Sequence, residues 1–189
     1  LLFARVGTAY SYISNEKMVS YTDLQIQKLI FEKYVNKKVI LLAPIIKSRK
    51  GHYRELFESL SIQGFSRVRI NKIIVELTSG MKLDRYKTHN IELVIDRFTI
   101  RHNKDFKKRF EESMTTAMHY GKNIIMVLDT ENNKTNYFSR KLMCPNSGIS
   151  YDTPEPNTFS FNSPKGMCND CKGLGVQHKV NLKKLIPND

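Results

Sequence analysis

The sequence predicts an α+β fold of mixed helices and antiparallel hairpins followed by a small irregular segment, and three observations carry that expectation. Apolar residues recur at helical spacing over Tyr53 to Gln63 and again over Asp105 to Tyr120. Several shorter runs alternate apolar and polar residues with the period of two expected of strands wet on one side. No regular strand-helix-strand period links these elements, so a doubly wound parallel sheet is disfavoured.

Taken in order, Thr22 or Asp23 caps a predicted helix that reaches Tyr34, with Leu24, Leu29, Ile30 and Tyr34 as its apolar stripe. Asn36-Lys37-Lys38 ends it, and Val39 to Ala43, bounded by Pro44, reads as a short buried strand. A basic loop, Lys47-Ser48-Arg49-Lys50-Gly51, is expected next. The helix over Tyr53 to Gln63 buries Leu56, Phe57 and Leu60, with Gly64 placed for a left-handed cap. Phe65 to Ile70 alternates large apolar and basic residues, and Asn71-Lys72 turns it into Ile73-Ile74-Val75. The result is a hairpin whose wet face carries Arg67 and Arg69.

Asn90 to Ile100 is predicted as a long strand with Ile91, Leu93 and Ile95 on one side and Glu92, Val94 and Asp96 on the other. Its phase shifts near Arg97-Phe98, where a bulge is expected. Phe106, Phe110, Met114, Ala117 and Met118 form the stripe of the second strong helix, and Gly121 follows it. Ile124 to Leu128 and Asn136 to Arg140 read as strands joined across Glu131-Asn132-Asn133-Lys134. Beyond Leu142 the composition turns to Pro, Gly, Asn and Ser, and Pro145, Pro154, Pro156 and Pro164 forbid long regular elements. A boundary near residue 142 follows.

Charge narrows the function classes. The chain carries 31 Lys and Arg against 18 Asp and Glu, a formal +13, which draws polyanions or acidic protein faces. No apolar run is long enough to span a membrane, and the opening Leu1-Leu2-Phe3 lacks an initiator Met. Cytoplasmic material cut from a longer chain is expected. Three cysteines are too few for a disulfide framework. Cys144-x2-Ser147 and Cys168-x2-Cys171, twenty residues apart, have nearly the layout of two knuckles closing one zinc site in a ribbon-like segment. The fourth sulfur is missing at Ser147, and a neutral hydroxyl is a poor replacement for a thiolate. Asp152 or His178 could complete the shell; the alternative is three small buried residues that hold no metal.

No Gly-rich loop ending in Lys-Ser or Lys-Thr is present to cradle phosphates, and no nucleophile elbow or triad can be argued, so this piece is expected to have no catalysis of its own. What remains is a cationic set, Lys47, Arg49, Lys50, Arg54, Arg67, Arg69, Lys72 and Arg97. Arginine offers the same planar fork to carboxylates and to phosphates, so the set fits an acidic protein, a DNA backbone or a merely solvated face.

Several stretches resemble the UvrA family of excinuclease ABC proteins: Leu2 to Thr8, Leu41 to Gly51, Gln63 to Ile70, Phe159-Ser160-Phe161-Asn162-Ser163-Pro164, and Cys168-x2-Cys171-x-Gly173-Leu174-Gly175. The likeness runs in order across essentially the whole chain. It implies that residues 1–20 link from an ATP-binding region, that 21–141 form the module binding the helicase-like protein UvrB, and that 142–189 begin the signature region with its first zinc module. It also implies a dimeric parent ATPase of nucleotide excision repair that binds damaged DNA and loads UvrB. ATP belongs to the parent, and zinc is its structural metal. Arg67 and Arg97 match arginines of the family's docking face, with Lys47, Arg49, Lys50 and Arg69 as further candidates. The chain departs from the family at Ser11-Tyr12-Ile13-Ser14, where Cys-Pro and then Cys or His is usual, and at Ser147. Those losses point to a divergent member with a relaxed metal requirement, for which a DNA-backbone-binding role is the alternative to docking.

Overall fold

A computed structural model describes residues 2–101, 103–144, 149–151 and 154–176. They fall into two compact units, one of residues 10–151 and one formed by residues 1–9 with 152–189. In chain order the elements are α1 (Leu2–Val6), α2 (Asp23–Lys33), β1 (Lys38–Lys50), α3 (Arg54–Ile62), β2 (Arg67–Ile70), β3 (Ile73–Glu76), β4 (Thr88–Thr99), α4 (Lys104–Tyr120), β5 (Ile124–Asp129), β6 (Lys134–Ser139), β7 (Leu142–Met143), β8 (Ser150–Tyr151) and a 3-10 turn, Pro156–Phe159. The α+β expectation holds, whereas the ribbon-like reading of the last segment gains no support from these elements.

Helices α2 and α4 start where side chains satisfy their orphan amides. At α2 the Gln25 N–H donates to Thr22 Oγ1 at 3.3 Å while the Thr22 N–H donates to Gln25 Oε1 at 2.9 Å, a reciprocal capping box. At α4 the Phe106 N–H donates to Asn103 Oδ1 at 2.8 Å. Each such cap is worth about 1 kcal/mol. The stripe of α2 differs from expectation, because Leu24 is exposed and Ile26 and Ile30 are the buried positions, followed by Tyr34. Phe110, Met114, Ala117 and Met118 of α4 are buried as their spacing predicts, and Phe106 is half-buried.

Six antiparallel strands form the sheet in the order β3-β2-β4-β1-β5-β6. The β2–β3 hairpin turns through Asn71 and Lys72, both at positive φ (48° and 75°), the backbone required by a two-residue turn matched to strand twist. At its centre β1 pairs with β4, bringing residues 38–50 against 88–99. One expectation is corrected here. Lys47-Ser48-Arg49-Lys50 is no loop but the end of β1, with Arg49 opposite His89 and Lys50 opposite Thr88. Its exposed, charged composition belongs to a strand end that faces water.

A second correction concerns the bulge in β4. Leu41 is opposite Asp96 and Leu42 is opposite Val94, so the extra residue is Ile95 and not Arg97 or Phe98. Beyond Ile95 the alternation is inverted, with Phe98 and Ile100 entering the core and Arg97 turning to the other face.

The two faces of the sheet are buried differently. Val39, Leu41, Ala43, Val68, Ile91, Leu93, Ile125 and Val127 pack against Ile26, Ile30, Phe57, Leu60 and the α4 stripe in the main core. On the other face Ile40, Leu42, Val94, Met126 and Leu128 form a second buried cluster, with Ile74 and Tyr137 packed on it. No layer of helices is needed there because the sheet curls on itself. Arg69 on β2 donates from Nη1 to Thr135 Oγ1 on β6 at 3.1 Å, although four strand steps of a flat sheet would hold them about 19 Å apart. This second face is therefore concave.

In the unit of residues 1–9 and 152–189, Phe3 and Phe159 rest against each other with ring centroids 6.0 Å apart, and Lys165 Nζ reaches Glu155 at 2.7 Å. Among the described residues no helix is long and apolar enough to cross a membrane.

Candidate partner-docking face

Strand pairing decides which basic residues share a face. Arg69 lies opposite Glu92, Arg97 opposite Ile40 and Arg67 opposite Glu76. Since Ile40 and Leu42 both belong to the concave cluster, the bulge at Ile95 is what brings Arg97 onto the same face as Arg67 and Arg69. Arg67 starts β2 and Arg97 nears the end of antiparallel β4, so the two occupy the same end of the sheet.

The charges at that end are not equivalent. Arg67 holds Glu76 across the hairpin, with Nη2 at 2.8 Å and Nε at 3.2 Å from one carboxylate oxygen, and both side chains remain substantially exposed. Arg97 is exposed, and no ion pair to it is found among the described residues. The adjacent carboxylate is already committed. Asp96 accepts from Arg109 Nη2 at 2.7 Å and Nε at 3.1 Å, from the Ser113 hydroxyl at 3.1 Å and from the Arg97 backbone N–H at 2.7 Å. Arg97, Arg101 and Arg109 line one open depression of about 400 Å³ together with Phe98 and Phe106. Arg101 and Arg109 escaped the sequence reading because neither falls in an alternating strand pattern; only their local density of charge near Arg97 marked them.

Arg69 corrects the sequence reading. Expected on a wet face beside Arg67, it is only 5% exposed, and its Nε lies 3.3 Å from Glu92 Oε2. The alternation was right and the wetness was wrong, because the curl of the sheet closes over this position. Burial raises the Glu92 carboxyl above the ordinary glutamate range, and the Arg69 charge opposes that rise. Lys47 sits with Nζ 5.9 Å from the centroid of the Tyr137 ring, and burial holds its amine below the usual lysine range. Arg49 and Lys50 are exposed at the far end of β1, away from Arg67 and Arg97. The six candidates thus do not form one patch.

The cysteine spacing predicts either a zinc site or three small buried residues that hold no metal. The thiol of Cys144 is fully buried and donates to Glu16 Oε2 at 3.3 Å, with Ser14 Oγ at 3.2 Å. Ser11, also buried, accepts from the backbone N–H groups of Ile13 and Ser14 at 3.4 and 3.5 Å. Among the described residues the donors around Cys144 are thus a carboxylate and serine hydroxyls, a poorer set for zinc than thiolates. In the other unit, hydrogen bonds from the backbone of Cys171 and Asp170 pull the Cys168 thiol below its usual range, and the Gly175 N–H donates to Cys171 Sγ at 3.3 Å. That is the local form of a knuckle, yet among the described residues no three His, Cys, Asp or Glu side chains gather as a metal site requires. Ser147, Asp152 and His178, considered above as completing ligands, lie outside the described residues.

A family model described as the UvrA interaction domain matches residues 22–131. The chain belongs to the UvrA interaction domain family. Its similarity extends past that match. UvrABC system protein A of Methanothermobacter thermautotrophicus is 35% identical over 99% of this chain and 20% of its own length. That of Pseudomonas putida is 38% identical over 98% of the chain and 20% of its length, and that of Deinococcus radiodurans 33% identical over 98% and 19%. The chain spans about a fifth of the length of these relatives. The matched family region, residues 22–131, runs from the cap of α2 through β5 and so contains the bulge at Ile95 and both Arg67 and Arg97.

Proposed function

We propose that this UvrA interaction domain serves a nucleotide-excision-repair protein by docking UvrB, and that Arg67 and Arg97 are the contact. The carrying observation is the bulge at Ile95, which turns Arg97 onto the concave face, at the same end of the sheet as Arg67, while Asp96 is held by Arg109 and Ser113. A guanidinium held on a strand with no acid among the described residues to neutralise it is set to receive a carboxylate from outside, and its rigidity lowers the entropy lost on binding. Arg67 is the more conditional member, since its carboxylate Glu76 must be released or shared when a partner arrives. Nucleotide hydrolysis, damage recognition and dimer formation belong, on this reading, to the remaining four-fifths of a parent protein.

Titration calorimetry of the chain with purified UvrB tests the proposal. Replacing Arg67 and Arg97 together by alanine is expected to weaken binding by about 2 kcal/mol or more, as for a desolvated charge pair at an interface. Unchanged affinity with unchanged thermal unfolding would remove these arginines from the contact.

A further inference from the structure

Arg67 and Arg97 each stand beside a carboxylate, and the fold treats the two differently. Glu76 remains on Arg67 as an exposed ion pair. Asp96, next to Arg97, is filled by other donors: a carboxylate offers about four lone-pair sites, and four hydrogen bonds reach this one. Oδ1 accepts the Arg109 Nη2–H and the Arg97 backbone N–H, both at 2.7 Å, while Oδ2 accepts the Arg109 Nε–H and the Ser113 hydroxyl, both at 3.1 Å. Arg109 and Ser113 are four residues apart on α4, so a single helix face supplies three of these donors. A second contact steadies Arg109, whose guanidinium carbon lies 5.4 Å from the centroid of the buried Phe98 ring.

The strand pairing does not itself keep Arg97 from Asp96. β2 pairs with β4 only over Ile91 to Leu93, so from Val94 to Thr99 the one strand partner of β4 among the described residues is β1. A long side chain on that edge can pass round it, and Arg97 lines the same depression of about 400 Å³ as Arg109.

From these features we infer that Arg109 is a positioning residue for docking: by occupying Asp96 it keeps the neighbouring acid from capturing the Arg97 guanidinium, which stays available to an acidic partner. Without Arg109, each Asp96 oxygen has an open acceptor site beside a cation on the next residue. Arg97 then closes on Asp96 as Arg67 closes on Glu76, and a partner carboxylate has to displace it. The inference rests on the docking reading and adds to it a residue that acts through another.

Calorimetric titration with purified UvrB tests it. Arg109→Ala should weaken binding about three- to tenfold, the effect of turning a silent acid into a competing one. Adding Asp96→Asn to Arg109→Ala should restore affinity to within about twofold of wild type, because the captor is then gone. Neither a merely structural role nor a direct contact of Arg109 with UvrB produces that rescue. In an Arg97→Ala background, Arg109→Ala should add no further loss. Arg54→Ala removes another exposed arginine, paired with Glu58 at 2.8 Å, and should leave affinity within about twofold, which separates the effect from lost net charge. Arg109→Gln keeps a donor for the partly buried carboxylate and should weaken binding in the same direction, with thermal unfolding of every variant recorded alongside. Wild-type affinity in both Arg109 variants, or an Asp96→Asn and Arg109→Ala double variant no tighter than Arg109→Ala, would overturn the inference and leave the docking reading standing wherever Arg97→Ala weakens binding. Wild-type affinity in Arg97→Ala would overturn both.

Discussion

Arg69 and Glu92 face each other across β2 and β4 at 3.3 Å, with 5% and 7% of their surfaces exposed. A buried pair of this kind repays its desolvation only in part, so its removal as a unit and its removal by halves have different consequences. Arg69→Met leaves a carboxylate stranded in the concave cluster and is expected to cost about 3–5 kcal/mol. Arg69→Met with Glu92→Leu removes both charges, and stability should return to within about 1 kcal/mol of wild type. Urea unfolding of the four proteins in a double-mutant cycle checks this. A double variant as unstable as the sum of its singles would show that the pair does not act as a unit.

The bulge at Ile95 separates two phases of β4, one that buries Ile91 and Leu93 and one that buries Phe98 and Ile100. Deleting Ile95 would make Val94 and Asp96 consecutive opposite Leu42 and Leu41, a regular ladder that keeps Phe98 in the core and Arg97 on the concave face. Cooperative thermal unfolding should therefore survive the deletion, at a cost of about 2–5 kcal/mol for the lost packing of this partly buried side chain. Ile95→Val, which keeps the bulge, should cost no more than about 1.5 kcal/mol. Loss of cooperative unfolding on deletion would mean that the faces beyond residue 95 are not held by the pairing of β1 with β4.

What was readable in the sequence divides along the range of the interactions. The capping of α2 by Thr22, the stripe of α4 and the Asn71-Lys72 turn depend on neighbours a few positions apart, and each is where its residues predict. The pairing of β1 with β4 joins segments about fifty residues apart, and nothing local declares it. Lys47 to Lys50 read as a loop because an exposed strand end carries the same polar composition as a loop. Arg69 read as wet because alternation tells which face a side chain is on but not whether that face later closes; the closure comes from the Arg69–Thr135 contact between β2 and β6. Arg67 and Arg97 could be named from the sequence as candidates, while the face they share depends on a bulge whose position only the register reveals.

Asp23 and Arg140 form a two-pronged ion pair, with Arg140 Nε and Nη2 each donating at 2.6 Å to a separate carboxylate oxygen. The hydrogen bonds from Arg140 hold the Asp23 carboxyl below the usual aspartate range. A depressed folded value means that this contribution is present above the unfolded aspartate pKa and disappears as pH falls through the lowered folded value. Asp23→Asn should thus lower the unfolding midpoint at neutral pH, and the difference should fade as pH falls through the lowered folded value. With both side chains more than a third exposed, the difference should be small and should shrink with added salt. A midpoint difference that persists at acid pH would assign the effect to lost packing and not to the charge.

Around Cys144 the described residues place one carboxylate and serine hydroxyls where thiolates would make a zinc site. Ser14 Oγ lies 3.2 Å from its sulfur, and Ser11 is a buried side chain whose oxygen already receives two backbone N–H groups, the arrangement that steadies a thiolate in a metal knuckle. Ser11→Cys with Ser14→Cys would set three sulfurs in this pocket beside the Glu16 carboxylate, a donor set that zinc accepts where hydroxyls are refused. The double variant is expected to gain close to one zinc per chain over wild type by elemental analysis, and to show the intense charge-transfer absorption of cobalt–thiolate when cobalt is supplied instead. Because ligand binding adds to folding free energy, its unfolding midpoint should rise with zinc and fall when a chelator is added, while the wild-type midpoint stays indifferent at this site. A variant that takes up no more zinc than wild type would show that the present hydrogen-bonded cluster has settled into a geometry that two thiols cannot convert.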